Sequence, residues 1–332
     1  MGESNEGNAR GDRREGSWLR RLGGRRPSPA EQESSVSESA VKAEPRRLPG
    51  SSGHSVPTPI WTDSHCHLQD EPDAAATVAR ARAARVGRMV CVGTDEASSR
   101  RAIVLAKELS PAQPGTQAEV PIGRPAEVFA TIGLHPHDAK TGLESLQALI
   151  GEASAQGGFA HSRVVAIGEC GLDFHYDNSP RKAQREIFAA QVALANQHNL
   201  ALVIHTREAW DETFSILEQE GVPSRTIFHC FTGGEQEAKQ CLRVGGFLSF
   251  SGIVTFASAE ELRQVVVHCP LESLLVETDS PFLTPVTHRG RPNNPSNVVL
   301  VGSAIAQLKG LETEILAAVS WMNADKAFAI GG

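Results

Sequence analysis

From Ile60 onward, short apolar runs rich in β-branched residues alternate with longer segments of helical spacing. The runs fall at 60–65, 88–93, 128–133, 164–169, 201–205, 225–229, 247–251 and 274–279. Between them the period changes from two to three and four. Over 181–199, Ile187, Phe188, Gln191, Val192, Ala195 and His198 form one mostly apolar stripe, which predicts a helix with one buried face. Ser179-Pro180 supplies a cap and a first-turn proline ahead of it. Thr232-Gly233-Gly234-Glu235 and Ser258-Ala259-Glu260-Glu261 have capping-box spacing before two further helical segments. Eight such strand–helix alternations are closed most simply as a (β/α)8 barrel of the TIM type, whose usual length of about 250 residues fits 60–330. A doubly wound open sheet is the competing architecture.

Composition divides the chain. Residues 1–57 are rich in Gly, Ser, Glu, Arg and Pro and poor in aliphatics, as in a disordered arm, and 58–332 form the barrel domain. Trp18-Leu19-Arg20-Arg21-Leu22 with Arg25-Arg26 makes a small basic cluster in the arm, read here as part of a solvated tail. At 332 residues and 40% hydrophobic, the chain can bury a large core. The net charge of −7 does not give the basic footprint usual for nucleic-acid binding, although bound cations would add positive charge locally. The six cysteines lie mostly in apolar runs without a C-x-x-C pair, which suits buried thiols in a reducing compartment. There is no apolar run of membrane-spanning length and no secretory-type apolar core at the N-terminus. A cytoplasmic monomer is the expectation.

The chemistry sits at the downstream ends of the strand runs. In a barrel, those ends carry the functional groups. His65 and His67 are two apart, so they share a face, while Cys66 points to the other. Glu169 ends Val164-Val165-Ala166-Ile167-Gly168, and a carboxylate there needs a compensating cation. Its two oxygens make it the natural centre of a two-cation site. His205 and His229 close consecutive strands. Each alone reads as an ordinary core histidine, but together they read as a pair on a second cation. Of Glu277 and Asp279, the latter is nearer the strand end and is taken as the ligand and as a proton acceptor, while Glu277 orients a histidine. His135 and His137 after the third strand, Arg207, Arg289 and Arg291 are candidates for substrate contact, the arginines for phosphate.

These residues stand in motifs that resemble the TatD family of metal-dependent hydrolases, from Thr62 to about Phe328. The motifs are Asp63-Ser64-His65-Cys66-His67-Leu68, Gly133-Leu134-His135-Pro136, Gly168-Glu169-Cys170-Gly171-Leu172-Asp173-Phe174, His205-Thr206-Arg207, His229-Cys230-Phe231-Thr232-Gly233, Phe250-Ser251-Gly252 and Glu277-Thr278-Asp279-Ser280-Pro281. The resemblance implies a TIM-type barrel with one cation on His65, His67, Glu169 and Asp279, and another on Glu169, His205 and His229. It also implies hydrolysis of DNA, including 3′-5′ exonuclease action on single strands. Two positions depart from the pattern: an Arg-Asn-Glu-Pro stretch is replaced by Arg291-Pro292-Asn293-Asn294-Pro295, and Ser296 stands where an aromatic often follows. Both lie at the rim and bear on substrate preference.

The expectation is thus a deoxyribonuclease dependent on two divalent cations (Mg, Mn or Zn), acting on single-stranded DNA. Mixed nitrogen and oxygen donors suit zinc, manganese or iron, whereas the resemblance implies magnesium-supported activity. One alternative keeps the cations and cleaves esters or amides, as in deacylation of D-aminoacyl-tRNA. Another is a barrel that has lost catalysis and binds a partner, against which the complete donor set argues.

Overall fold

Residues 60–110, 126–155 and 157–330 are described in the computed structural model; the 1–57 arm and its basic cluster lie outside them. Each of the eight apolar runs contains a strand. These are β1 (Trp61–Cys66), β2 (Val86–Cys91), β3 (Glu127–Ile132), β4 (Val164–Asp173), β5 (Ala201–Arg207), β6 (Thr226–Phe228), β7 (Phe247–Phe250) and β8 (Leu274–Val276). They pair in parallel in chain order. The ring closes beyond the end of β8. Cys66 bridges Ser280 in parallel, His67 N donates to Ser280 O (2.8 Å) and Asp279 N to His65 O (2.9 Å). The fold is therefore a (β/α)8 barrel, and the open sheet is set aside.

The helices are α1 (Ala74–Ala83), α2 (Glu96–Leu109), α3 (Glu144–Ala155), α4 (Gly158–Ser162), α5 (Arg181–His198), α6 (Trp210–Glu220), α7 (Glu235–Arg243), α8 (Glu260–His268), α9 (Val298–Lys309) and α10 (Thr313–Phe328). Three helix starts differ from the capping expectation. α5 begins after Pro180, because the Ser179 hydroxyl is taken by His137 O (2.7 Å) and accepts from Lys140 N (3.2 Å). α7 begins after Gly234, whose amide donates to Glu237 Oε2 (2.9 Å), so the box acts two residues later. α8 begins after Ala259 without a side-chain cap. A cap hydroxyl is a weak local preference that tertiary partners override.

Strand alternation sorts the apolar residues into two layers. Met89, Cys91, Leu202 and Ile204 face the helices, and Val90, Val92, Ala201 and Val203 fill the barrel interior with Ala166, Ile227 and Leu275. Ala324, Ala327 and Phe328 of α10 join the interior group, so α10 closes the N-terminal floor of the barrel. Arg88 is 1% exposed there. Its Nε donates to Glu127 Oε2 (3.2 Å), its Nη1 pairs with the Asp325 carboxylate of α10, and its guanidinium lies 3.7 Å from the Trp321 ring centroid. The opposite, C-terminal mouth is left to polar groups.

On α5 the buried positions are Gln184, Phe188, Gln191, Val192 and Ala195, while Ile187 and His198 of the expected stripe are half-buried. The two glutamines are not filler. Gln191 brackets Leu134, accepting from its N (2.8 Å) and donating to its O (3.0 Å). Gln184 does the same for Asp173 (2.8 and 3.2 Å). A single helix face thus fixes two loops at the mouth.

Candidate metal centre

Four strands and the seam deliver the donors. His65 on β1 is fully buried, and neither ring nitrogen has a hydrogen-bond partner. His67, one residue past β1, donates from Nδ1 to Val92 O (3.1 Å). Glu169 was expected at a strand end and instead lies within β4, which runs on to Asp173. The ladder to β5 shifts register between Ile167 and Cys170, and the Glu169 amide turns away to Gly93 O (2.9 Å). That local departure aims the carboxylate inward. Asp279 lies three residues past β8. The Thr278 amide donates to Asp63 Oδ1 (2.9 Å) rather than to a neighbouring strand, and Asp279 itself takes a φ of 53°.

Two glycines allow the β4 departure. Gly168 has φ +132°, a conformation side chains rarely adopt, and a Cβ on Gly133 would sit 2.2 Å from the Gly168 carbonyl carbon. Gly133→Ala is expected to cost about 1–3 kcal/mol of stability through overpacking and to lower turnover by displacing Glu169. Urea unfolding and steady-state rates check this; a stability change within about 0.5 kcal/mol, as for an ordinary surface change, would refute the packing argument.

The donors converge on Glu169. Oε2 lies 3.4 Å from His65 Nε2, while Oε1 lies 3.0 Å from His205 Nδ1, 3.0 Å from His229 Nε2 and 3.3 Å from His135 Nε2. Asp279 Oδ1 lies 3.4 Å from His67 Nε2 and 3.7 Å from His65 Nε2. Three overlapping donor sets result: His65, His67 and Asp279; His65, Glu169 and His229; and His135, Glu169 and His205, each with its donor atoms within 4.8 Å of one another. The six residues singled out as donors in the sequence are thus brought together. His135, read as a substrate contact, stands among them.

The outward ring nitrogens are anchored. His229 Nδ1 lies 3.2 Å from Glu277 Oε1, which also accepts from Cys230 N (2.8 Å), while Ser249 donates to the other Glu277 oxygen. His205 Nε2 lies 3.3 Å from Asp173 Oδ2, and His137 Nε2 lies 2.9 Å from the same oxygen. With one ring nitrogen tied outward, His229 and His205 each present the other nitrogen to Glu169. This is the arrangement by which metal-binding histidines are oriented. Asp173 and Asp63 were given no role in the sequence. Parity along the strand could have found both, since 169 and 173 share a face, as do 63, 65 and 67.

Burial alone would push the Glu169 carboxyl up, but His229 and His135 hold it well below the usual range. Burial likewise opposes charging of His229 and is outweighed by Glu169 and Glu277, which raise it. His65 is lowered by burial and by His229, and His135 falls to about 4, chiefly through burial. Asp279 is lowered against its burial by His67 and His65. A buried, ionised carboxylate ringed by histidine nitrogens is a donor set that fits divalent cations. His65 is the clearest sign: its Nε2 faces the Glu169 and Asp279 carboxylates, yet neither nitrogen forms a hydrogen bond, which is costly for a buried imidazole unless it has a ligand.

At the mouth, Arg207 lies over the Tyr176 ring (4.9 Å) and Arg289 over the Phe256 ring (4.3 Å). Arg289 and Arg291 are exposed. All six cysteines are free thiols, and Cys230 alone among them is only partly buried. Among the described residues, no helix is long and apolar enough to cross a membrane.

The sequence profile of the family described as TatD related DNase matches residues 62–329. A relative from Bacillus subtilis (strain 168), the uncharacterized metal-dependent hydrolase YabD, is 40% identical over 81% of this chain and 98% of its own. The 3′-5′ ssDNA/RNA exonuclease TatD of Klebsiella pneumoniae (strain 342) is 32% identical over 78% of this chain and 92% of its own. Among solved structures, the Escherichia coli TatD homologue YjjV aligns with a TM-score of 0.70 at 27% identity, covering 81% of this chain and 98% of that one.

Proposed function

The chain belongs to the TatD-related DNase family, and from that premise we propose that this metal-dependent hydrolase cleaves phosphodiester bonds of DNA, working from the 3′ end of single strands. The observation that carries the reading is the divided position of Glu169, with Oε2 toward His65 and Oε1 toward His205 and His229. A carboxylate so placed suits a pair of cations, Mg, Mn or Zn. One would be held by His65, His67, Glu169 and Asp279, the other by Glu169, His205 and His229, with His135 beside the second. When bound, such cations lower the pKa of water and offset charge on phosphoryl oxygens.

The chain's own groups then divide the work. Asp279, kept ionised by His67 and His65, accepts the proton of the attacking water. Glu277 and Asp173 keep His229 and His205 aimed. His135 faces the reacting phosphate, and Arg207 and Arg289 offer planar cationic donors to phosphates at the rim. The name of the Klebsiella relative supports a single-stranded substrate.

End-labelled single-stranded DNA, after chelation and re-addition of Mg²⁺, Mn²⁺ or Zn²⁺, tests the reading. The expected result is cation-dependent laddering from the 3′ end. Absence of cleavage with every cation, while an ester or aminoacyl-tRNA substrate is turned over, would replace it with the carbonyl-directed alternative.

A further inference from the structure

The turn after β8 carries a group that hydrolysis itself does not use. Phe282 is 52% exposed, the highest value among the large apolar side chains of the described residues. Its ring centroid lies 6.1 Å from that of His67 at an interplanar angle of 70°. Its amide donates to Asp279 O (2.9 Å), so the ring and the proton acceptor share one turn. An exposed phenyl beside a cluster of polar donors needs a reason, because apolar surface in water is unfavourable.

The turn is firmly held. Buried Asn293 donates from Nδ2 to Phe282 O (2.6 Å) and to Thr278 O (2.9 Å). Thr284 Oγ1 donates to Arg291 O (2.9 Å). Leu283 O approaches Gly252 so closely that a Cβ there would lie 2.1 Å from it, which gives the Phe250-Ser251-Gly252 motif a purpose. Asp279 and Leu283 both take positive φ, 53° and 52°. Strain of this kind persists only where the surroundings enforce it. A backbone fixed in advance in this way lowers the ordering cost when something covers the ring.

Resting on the nuclease reading above, we propose that Phe282 is the platform on which the base of the nucleotide at the scissile bond stacks, and that it confers a preference for unpaired ends. A base is one sugar away from its phosphate, so a phosphate at the donor cluster brings its base to a ring flanking His67. Stacking on an aromatic side chain tolerates any base and requires that the base be unpaired. Arg289, on the same exposed loop and laid over Phe256, adds positive charge where the strand continues.

Steady-state constants separate the possibilities. The substrates are a single-stranded oligonucleotide and the same strand with its 3′-terminal residues made abasic. The enzymes are the wild type, Phe282→Ala and Phe282→Trp, with the cation that supports cleavage. Phe282→Ala is expected to raise KM on the ordinary strand about tenfold, within the range measured for stacked bases, with a smaller effect on kcat. Phe282→Trp restores KM, and on the abasic strand the difference between wild type and Phe282→Ala shrinks. Equal KM values for wild type and Phe282→Ala on the ordinary strand, or an equal loss on both strands, overturns the platform and leaves the nuclease reading intact. A wild-type enzyme that cleaves neither strand removes the nuclease reading and the platform with it.

Discussion

Glu169→Gln abolishes cation binding and turnover together. The exchange keeps size and shape, removes the central negative charge, and replaces one acceptor oxygen with a donor. Oε1 alone has three histidine nitrogens within 3.3 Å, so no neighbour can take its place. Turnover is expected to fall by about a thousandfold or more, the scale on which removing a preorganised electrostatic group acts. Stability reports the same loss independently of any substrate. A cation at a hundred times its Kd stabilises the wild type by about 2.7 kcal/mol, and the variant should show no such thermal shift. Elemental analysis after dialysis gives the cation content directly. A variant that retains the wild-type cation content and full turnover would refute the central place given to Glu169.

Arg88→Met has the largest expected effect on stability. It removes the guanidinium that Glu127 and Asp325 share in the barrel floor, while Arg163 Nη2 stays 3.8 Å from Glu127. Removing one partner of a buried ionic group costs about 3–5 kcal/mol. For a domain of this size that lowers Tm by roughly 10 °C. Contact with the Trp321 face is lost as well. Calorimetry on the wild type and variant checks the size of the drop. A second variant, in which Glu127 and Asp325 are also replaced by leucine, should recover most of it, because apolar packing substitutes well for a buried ionic cluster. A single variant within about 2 °C of wild type would mean that the floor is not held this way.

Much of this architecture is legible in the sequence because the alternation of period is strong. Every apolar run at the eight expected places contains a strand, and the six donors sit near the downstream ends where a barrel collects them. What was not legible depends on partners far away in the chain. Glu169 lies inside β4 because, after its amide has gone to Gly93, Cys170 to Asp173 pair again with β5, and Asp279 lies beyond β8, where the Thr278 amide bonds to Asp63. Neither partner is visible in a local window. Gln184 and Gln191 look like interruptions of an apolar stripe until the backbone of Asp173 and Leu134 is set against them. Arg88 sits in a strand-like run, where nothing local announces that Asp325 will meet it. The Ser179 cap fails for the opposite reason: the local signal is present, but His137 O takes its hydroxyl.

The seam that joins Cys66 to Ser280 has a consequence for the order of synthesis. His65 and His67 emerge from the ribosome among the first residues of the barrel, and Asp279 emerges near its end. The nascent chain therefore holds an incomplete donor set until the ring shuts. Pairings of such wide separation are slow to form, since the intervening chain must first be ordered. Capture of a cation by His65, His67 and Asp279 would thus be a late event in maturation, and its retention would report whether a given molecule has closed.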